Sequence, residues 1–414
     1  MYSIYQAGIR IYFFLARLFS AFSPRVKEFL NSRSDQRKHR SFKRPGGKRL
    51  IWFHASSLGE YEQGQPLIRK WKELNPDWIV LLTFFSPSGF KNLKNSEFAH
   101  YVDYIPIDTG REVRRFLDYY QPDVAVFIKY DIWPVMLREL RRNSIPAFLV
   151  SAVFRNNQLF FRWYGKWYLS VLRDFTRIFT QDAGSVRMLN EKSINNAQMA
   201  GDTRIDRVIE LAGNDVETEG IREFIKGSKV LIAGSSWPAE EKLINLFIRS
   251  HNNKMIKVIL APHDISEKRI ESIKNLFGKH LITYAGFLKN RDAETGAEVL
   301  LLDSIGLLSR LYRYGDIAFI GGAFGKGLHN VLEPAVYGLP VIFGPSYKKF
   351  VEAVELVNSG AAFPVKDSKD FISTIGRLTE DNYTYLNASK GCKNYVNNNA
   401  GATGLIIRQL LEFF

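Results

Sequence analysis

The chain has 414 residues, 46% of them hydrophobic, a formal net charge of +15 and a single cysteine, Cys392. That length accommodates two domains with cores of their own, and the composition excludes a disordered, collagenous or low-complexity protein. One cysteine excludes an internal disulfide framework and is compatible with a reducing compartment, while the charge asks for an acidic partner.

Residues Met1 to Phe22 place Ser3, Gln6, Arg10, Arg17 and Ser20 at helical spacing. This polar stripe is broken only by Phe13, and Ile4, Ile11, Leu15, Leu18 and Phe22 lie elsewhere around the helix. The longest apolar run, Ile11 to Ala16, falls short of the roughly 20 residues a spanning helix needs, so no bilayer crossing is expected. Arginines inside the apolar region and the lack of a small-residue cleavage site fit a secretory signal poorly. Next comes a basic cluster: Arg25, Lys27, Arg33, Arg37, Lys38, Arg40, Lys43, Arg44, Lys48 and Arg49, against only Glu28 and Asp35. Such a cluster suits anionic headgroups, a solvated linker or a nucleic-acid arm; the apolar face beside it favours the membrane. Residues 1–45 are therefore read as a membrane-associating segment.

Leu50 to His54 predicts the first strand of an α/β unit, and Tyr61 to Leu74 a helix. Glu60 stands where strand passes to helix, at the edge on which open α/β sheets hold ligands. A carboxylate there, ionised with help from the helix dipole, can take a proton from an attacking hydroxyl; helix capping is the other reading. Strands are predicted over Ile79–Phe84, Tyr101–Ile105 and Val124–Ile128, with Arg111, Arg114 and Arg115 on one side of the helix between the last two. The fourth strand runs into Lys129, Tyr130, Asp131, Ile132, Trp133 and Pro134. The ordinary readings here are a solvated lysine and an aspartate capping the helix that starts near Trp133. After a fifth strand, Phe148–Val150, aromatics interleave with Arg155, Arg162 and Lys166 in SAVFRNNQLFFRWYGKWYL. This suits a stacking surface or a lipid interface; with no nucleic-acid fold signature, no nucleic-acid partner is expected and the stretch is read as part of an acceptor groove. Arg177 to Gln181 closes the first sheet.

The polar stretch Gly213–Gly227 reads as an interdomain connection. A second α/β unit begins at the Val230–Ala233 strand, followed by Gly234, Ser235 and Ser236 and by a helix from Trp237 to His251, opened by Pro238 and Glu240. Hydroxyls and N–H groups of that loop can bind phosphate. Lys257–Ala261 leads to Pro262, His263 and Asp264, and Val299–Leu302 supplies a further strand. The apolar run Ile317–Ile320 then meets Gly321, Gly322, Gly325 and Gly327, where the chain must turn and approach something closely. His329, Asn330 and Glu333 open a helix over Asn330–Tyr337, closed by Gly338 and Pro340 before a strand at Val341–Phe343. A helix start after such a loop favours an anion, and Glu333 can accept from ribose hydroxyls; close packing with Glu333 as a cap is the other reading. Lys348 and Lys349 follow, and Thr403–Phe414 predicts a last helix.

The string GGAFGKGLHNVLEPAVYGLPVIFGPSYKKF resembles the donor-site segment of the Kdo transferases, which attach 3-deoxy-manno-octulosonic acid to the lipid A precursor. WFHASSLGE and KYDIWP resemble two further segments, and GDTRID resembles the family's boundary segment. The resemblance covers most of the chain in order. It implies an α/β protein of two Rossmann-like domains facing a cleft, the GT-B arrangement. Residues 46–212 would bind the lipid A precursor, residues 213–400 CMP-Kdo, and residues 401–414 would pack back on the first domain. The implied place is the cytoplasmic face of the bacterial inner membrane, with its anionic surface as a partner.

On this resemblance Glu60 is the catalytic base with Asp131 beside it; Ser57, Gly59 and, on its own chemistry, Lys129 are read as lining the acceptor side. The donor side comprises Arg204, Ser235, Ser236, His263, Gly321, Gly322, Lys326, Gly327, His329, Asn330, Glu333 and Lys349. Two departures stand out. The family usually carries an acid where this chain has Lys129, which could instead neutralise a substrate carboxylate or phosphate, and an arginine where it has Pro262. Transfer is expected to be direct and inverting. The absence of an Asp-x-Asp pair, of ligand-spaced histidines, of a GxxxxGK[ST] loop and of a Gly-x-Ser-x-Gly elbow leaves no metal, no cofactor beyond the CMP-Kdo donor and no protein nucleophile expected. The alternative is another GT-B transferase using a UDP-sugar and a lipid acceptor; a non-catalytic basic binding protein would need none of these loops.

Overall fold

The computed structural model describes residues 1–38, 41–162, 165–214, 216–250, 256–290 and 296–414. Arg40, Trp163, Tyr164 and His251, which enter the sequence reading, lie outside the described residues. The chain divides into two compact units, residues 1–207 with 400–414, and residues 208–399.

In the first unit seven strands form one parallel sheet: β1 (Leu50–Ala55), β2 (Ile79–Phe84), β3 (Tyr101–Tyr104), β4 (Val124–Ile128), β5 (Ala147–Ala152), β6 (Arg177–Thr180) and β7 (Ala197–Met199). Their order is β3-β2-β1-β4-β5-β6-β7, so the direction of winding reverses between β1 and β4. A parallel sheet is covered on both faces, which is why LIWFHA, IVLLTF and VAVFI are buried at every position. Trp52, Phe116 and Phe127 fill one face. Phe53, Val126, Leu67, Ile68 and Trp71 fill the other, together with Ile406, Ile407 and Leu410 of the C-terminal helix, Ala402–Leu411. Asp206 fastens that helix by accepting from Gly401 N and Thr403 N, both at 2.6 Å.

The second unit repeats the plan. Its strands are β8 (Lys229–Ser236), β9 (Ile256–Pro262), β10 (Leu281–Thr283), β11 (Val299–Leu301), β12 (Ile317–Ile320), β13 (Val341–Phe343) and β14 (Ala362–Pro364). They run parallel in the order β10-β11-β9-β8-β12-β13-β14, and the reversal falls between β8 and β12.

Several expectations are corrected. Strands β7, β10 and β14 were not anticipated; each has three residues, too few for a recognisable period, and β7 and β14 lie at sheet edges, as does β10. The Gly213–Gly227 stretch is not the division, which falls at Arg207/Val208 inside the Thr203–Gly213 helix. That stretch is part of the second unit, where Thr218 N donates to the Tyr314 hydroxyl at 2.9 Å.

Residues 1–45 likewise belong to the first unit. The helix Tyr2–Phe19 lays Tyr2 and Tyr5 against Trp167 and buries Phe13, while Gln6 Oε1 accepts from Gly110 N at 2.9 Å. So Gln6, one residue of the polar stripe, faces the protein; Ile4, Ile11, Tyr12, Phe14, Leu15, Leu18 and Phe22 are exposed. Arg33 is also inside the fold. Its guanidinium donates to Ile105 O at 2.7 Å and lies 4.8 Å from the Phe85 ring centroid.

Because Ile406 is fully buried, Ile406→Ala removes packing from the first unit's core. Urea unfolding of the full chain is expected to show a loss of about 2–5 kcal/mol in the transition that reports this unit. A loss below about 0.5 kcal/mol, the range of surface substitutions, would place the C-terminal helix outside that core.

Candidate active site

Each sheet presents its loops at the carboxyl ends of the two strands where winding reverses, the place where open α/β sheets gather ligands. In the first unit these are the loops after β1 and β4. Ser57, extended at φ −140°, caps the Leu58–Leu74 helix. Its hydroxyl accepts from Glu60 N at 3.4 Å while Glu60 Oε2 accepts from Ser57 N at 3.0 Å. Glu60 is thus the N3 residue of a capping box and half-buried, in a helix that begins at Leu58 and not at the expected Tyr61. The capping reading holds for this side chain.

Asp131 does not cap the helix after it. Asp108 does, accepting from Val135 N at 3.0 Å and Met136 N at 2.8 Å. Asp131, 6% exposed, turns to the β1 loop instead, where it accepts from Ser56 N at 2.9 Å and from the Ser56 hydroxyl. His54 Nε2 lies 3.5 Å from Asp131 Oδ2, and His54 Nδ1 lies 2.9 Å from the Thr83 hydroxyl. Complete burial pushes His54 down to about 3, so the imidazole is neutral. The sequence reading passed over His54; its signal is one ionisable residue within an otherwise apolar buried strand.

Burial pushes Glu60 above the usual carboxylate range, and the Lys129 ammonium pulls it back down. Burial first, and the Glu60 charge second, push Asp131 well above that range, so Asp131 keeps its proton to higher pH than an ordinary aspartate. Of two neighbouring carboxyls, Glu60 is the one with a cation at hand. Lys129 sits at φ 70°, in the left-handed region a lysine rarely adopts, with its N donating to Val150 O at 2.8 Å. Gly59 is exposed, and a Cβ there would meet nothing within 4 Å. Arg204 also belongs to this unit, not to the one holding the other donor-side residues; its guanidinium grips Asp202 at 2.6 and 2.8 Å.

In the second unit the last residue but one of β8 is Ser235, left-handed at φ 52°, with a register shift against β9 between Gly234 and Ser236. This pushes the Ser235 carbonyl toward the loop after β12, where a Cβ on Gly321 would lie 2.2 Å from it. Gly322 has φ 94°, and its carbonyl accepts from the N–H groups of Gly325, Lys326 and Gly327 at 3.1, 2.9 and 2.8 Å. The turn therefore closes on itself. Gly322 N–H, expected to meet a phosphate, already donates to Glu240 Oε1 at 2.8 Å, and Trp237 N donates to Glu240 Oε2 at 3.1 Å. The Ser236 hydroxyl is buried and donates to Glu241, which also pairs with Arg269. The following helix is Leu332–Val336, shorter than the expected Asn330–Tyr337. Asn330 precedes it, accepting from Leu332 N and donating to Glu333 Oε1, both at 3.1 Å.

Three rings from three separate loops pack together, with His263 stacked against both of the others. Trp237 stacks on His263 with centroids 4.7 Å apart, and His263 on His329 at 4.6 Å. Trp237 Nε1 donates to His329 Nε2 at 3.1 Å, leaving the neutral imidazole's proton on Nδ1. Burial, then the neighbouring His263, hold His329 below the usual histidine range. Lys326 Nζ lies 5.4 Å from the Trp237 ring centroid. Trp237 was read only as a helix start, because nothing in its own neighbourhood foretells partners 26 and 92 residues away. Lys349 is exposed in the turn after β13.

Residues 28–207, which hold Glu60, Lys129 and Asp131, match the family model for 3-deoxy-D-manno-octulosonic-acid transferase (kdotransferase). This stretch belongs to the Kdo transferase family. The 3-deoxy-D-manno-octulosonic acid transferase of Rickettsia prowazekii is 26% identical over 349 residues, 83% of this chain and 74% of the relative. That of Aquifex aeolicus is 28% identical over 336 residues, 80% of this chain and 86% of the relative. Similarity to Kdo transferases thus runs on into the second unit and supports glycosyl transfer in lipopolysaccharide synthesis. Among solved structures, the UDP-GlcNAc 2-epimerase of Neisseria meningitidis matches with a TM-score of 0.62 and 16% identity, covering 88% of this chain and 100% of the other. At that identity the likeness is one of fold, and the two seven-stranded parallel sheets are of the GT-B type.

The Lys129 charge favours the ionised form of Glu60, so its removal moves that carboxyl's pKa further up. In Lys129→Met the Glu60 carboxyl, followed by ¹³C NMR, is expected to titrate at higher pH than in the wild type, and in Lys129→Arg at an unchanged pH. An unmoved midpoint in Lys129→Met would show that Lys129 does not set the charge of Glu60.

Proposed function

We propose that the chain transfers Kdo from CMP-Kdo to a lipid A precursor by direct, inverting displacement, with Glu60 as general base. The observation that carries this is the capping box at the β1–β4 reversal, which holds a half-buried carboxylate in one orientation beside a lysine. In the reaction an acceptor hydroxyl loses its proton to Glu60 as its oxygen bonds to the anomeric carbon of Kdo. The bond from that carbon to the CMP phosphate breaks, and its electron pair leaves on the phosphate oxygen. Asp131 and His54 act as positioning residues: they hold the Ser56–Ser57 turn that aims Glu60.

On the donor side, Lys326, Lys349 and the loop after β8 would meet the departing charge, with Trp237, His263 and His329 alongside. Since Glu240 takes the Gly322 N–H, phosphate neutralisation falls to side chains more than to the turn's backbone. The acceptor would come from the inner membrane. No helix among the described residues is long and apolar enough to cross a bilayer, and the exposed face of the Tyr2–Phe19 helix suits one that lies in the interface.

Glu60→Gln keeps a residue able to complete the capping box and removes the base. With labelled CMP-Kdo and a tetra-acylated lipid A precursor, products weighed by mass spectrometry, this variant is expected to turn over about 10² times more slowly or worse. Near-normal rates would remove Glu60 as base, and transfer from a UDP-sugar in place of CMP-Kdo would replace the donor. Deleting residues 1–44 would strip packed side chains, so membrane association is better tested by Ile11→Asp/Leu15→Asp/Leu18→Asp on the exposed face. Flotation with vesicles containing phosphatidylglycerol is expected to fall at least fivefold while the thermal unfolding midpoint stays put; undiminished flotation would refute docking through this helix.

A further inference from the structure

A cavity of about 480 Å³ opens at the first turn of the N-terminal helix, lined by Tyr2, Arg138, Arg141, Arg142 and Asp174. It lies toward the far end of the Pro134–Arg142 helix from the Asp131 loop. Most surface arginines are mobile; these are held. Arg141 Nη1 pairs with Asp174 Oδ1 at 2.7 Å, and the Tyr2 hydroxyl donates to Asp174 Oδ2 at 3.4 Å. Arg142 Nη1 pairs with Glu139 Oε1 at 2.9 Å, and Arg114 approaches the same oxygen at 3.8 Å. Arg138 lies over the Tyr2 ring at 4.6 Å.

The layering of charge decides what such a cavity can hold. The Asp174 and Glu139 side chains are only 10% and 8% exposed, whereas those of Arg141 and Arg142 are 70% and 53% exposed. The acids lie beneath and orient the guanidiniums, which form the surface a ligand would meet. Guanidiniums fixed in this way match the oxygens of a phosphate, which accepts paired N–H donors. The adjoining helix exposes Ile4, Ile11, Leu15 and Leu18. A helix lying in a bilayer interface on that apolar face holds its flanks at headgroup level, and Tyr2 joins helix and cavity.

We propose that this cavity binds the phosphate of an anionic lipid headgroup. The site is separate from the Glu60 loop, and the inference does not rest on the transfer reading, because binding is measured with no sugar donor present. The test uses the full chain and soluble dihexanoyl phosphatidylglycerol by isothermal titration calorimetry, with inorganic phosphate as a second ligand. Arg138→Gln/Arg142→Gln leaves Asp174 paired with Arg141 and Glu139 within reach of Arg114, so the buried acids keep partners. This variant is expected to bind the lipid at least tenfold more weakly, and Arg142→Gln alone about threefold. A control with equal loss of charge, Arg25→Gln/Lys27→Gln, is expected to change affinity less than twofold. Equal weakening in variant and control would overturn the proposal in favour of diffuse charge. Inorganic phosphate binding as tightly as the lipid would overturn it in favour of a free-ion site, and no saturable binding by the wild type would end it.

Discussion

The bonds between Ser56 and Asp131 are what the first unit's site depends on. They join the loop after β1 to the loop after β4, strands adjacent in the sheet but some 70 residues apart in sequence. Without that tie the Ser57 capping box would stabilise a helix and nothing more. With it, the first turn of the helix is held to the neighbouring loop, and Glu60 acquires a fixed position relative to Lys129. The arrangement requires a buried carboxyl at Asp131, and the fold supplies the backbone N–H and the hydroxyl that such a group needs. His54, kept neutral by its burial, occupies the space behind Asp131 without adding a charge to it.

The second unit meets the same geometric problem with different chemistry. Its loops after β8 and β12 are brought together by the absence of side chains: the displaced Ser235 carbonyl leaves no room for a Cβ at Gly321, and the Gly327 carbonyl leaves none at Gly322. Glu240 then locks the junction by accepting from both Gly322 N and Trp237 N. A carboxylate filling this slot from within the chain changes the site's electrostatics. With the Gly322 N–H taken, the phosphate of the proposed donor would be met by Lys326 and its neighbours at the rim. His329 resists acquiring charge, because burial disfavours the charged form and a proton on Nε2 would break the bond from Trp237 Nε1.

The parts of this structure that could be read in the chain are those that follow from local pattern. Central strands such as Ile79–Phe84, Val124–Ile128 and Ile317–Ile320 are apolar throughout because both faces of a parallel sheet are covered, and their limits were legible to the residue. Edge strands such as Leu281–Thr283 are short and half-exposed, and carry no such run. Glu60 was legible because a strand, a serine cap and a helix succeed one another within a dozen residues. The partners of Asp131, the rings packed around His263 and the grip of Glu240 on Gly322 were not, since each depends on which strands become neighbours. Winding order is a property of the whole sheet.

Charge shows the same limit from another side. A net +15 and a run of basic residues before β1 invite a purely electrostatic account of membrane binding. In the fold, Arg37 pairs with Glu112, Arg44 with Asp123, Arg33 lies among Phe29, Phe85 and Tyr104, and Arg49 lies over Trp78. These side chains fasten the N-terminal segment to the sheet, so the number of basic residues overstates the charge offered to a lipid surface. Most apolar side chains of the first helix have no comparable internal use: Tyr2, Tyr5, Gln6 and Phe13 make the contacts inward, and Ile4, Ile11, Leu15 and Leu18 are exposed. An inward face containing hydrogen-bonding groups and an outward face of Ile, Leu and Phe is the reverse of what a helix on a water-facing surface would show. In the proposed docking the hydrophobic term would therefore dominate, with the remaining exposed cations adding a salt-sensitive increment.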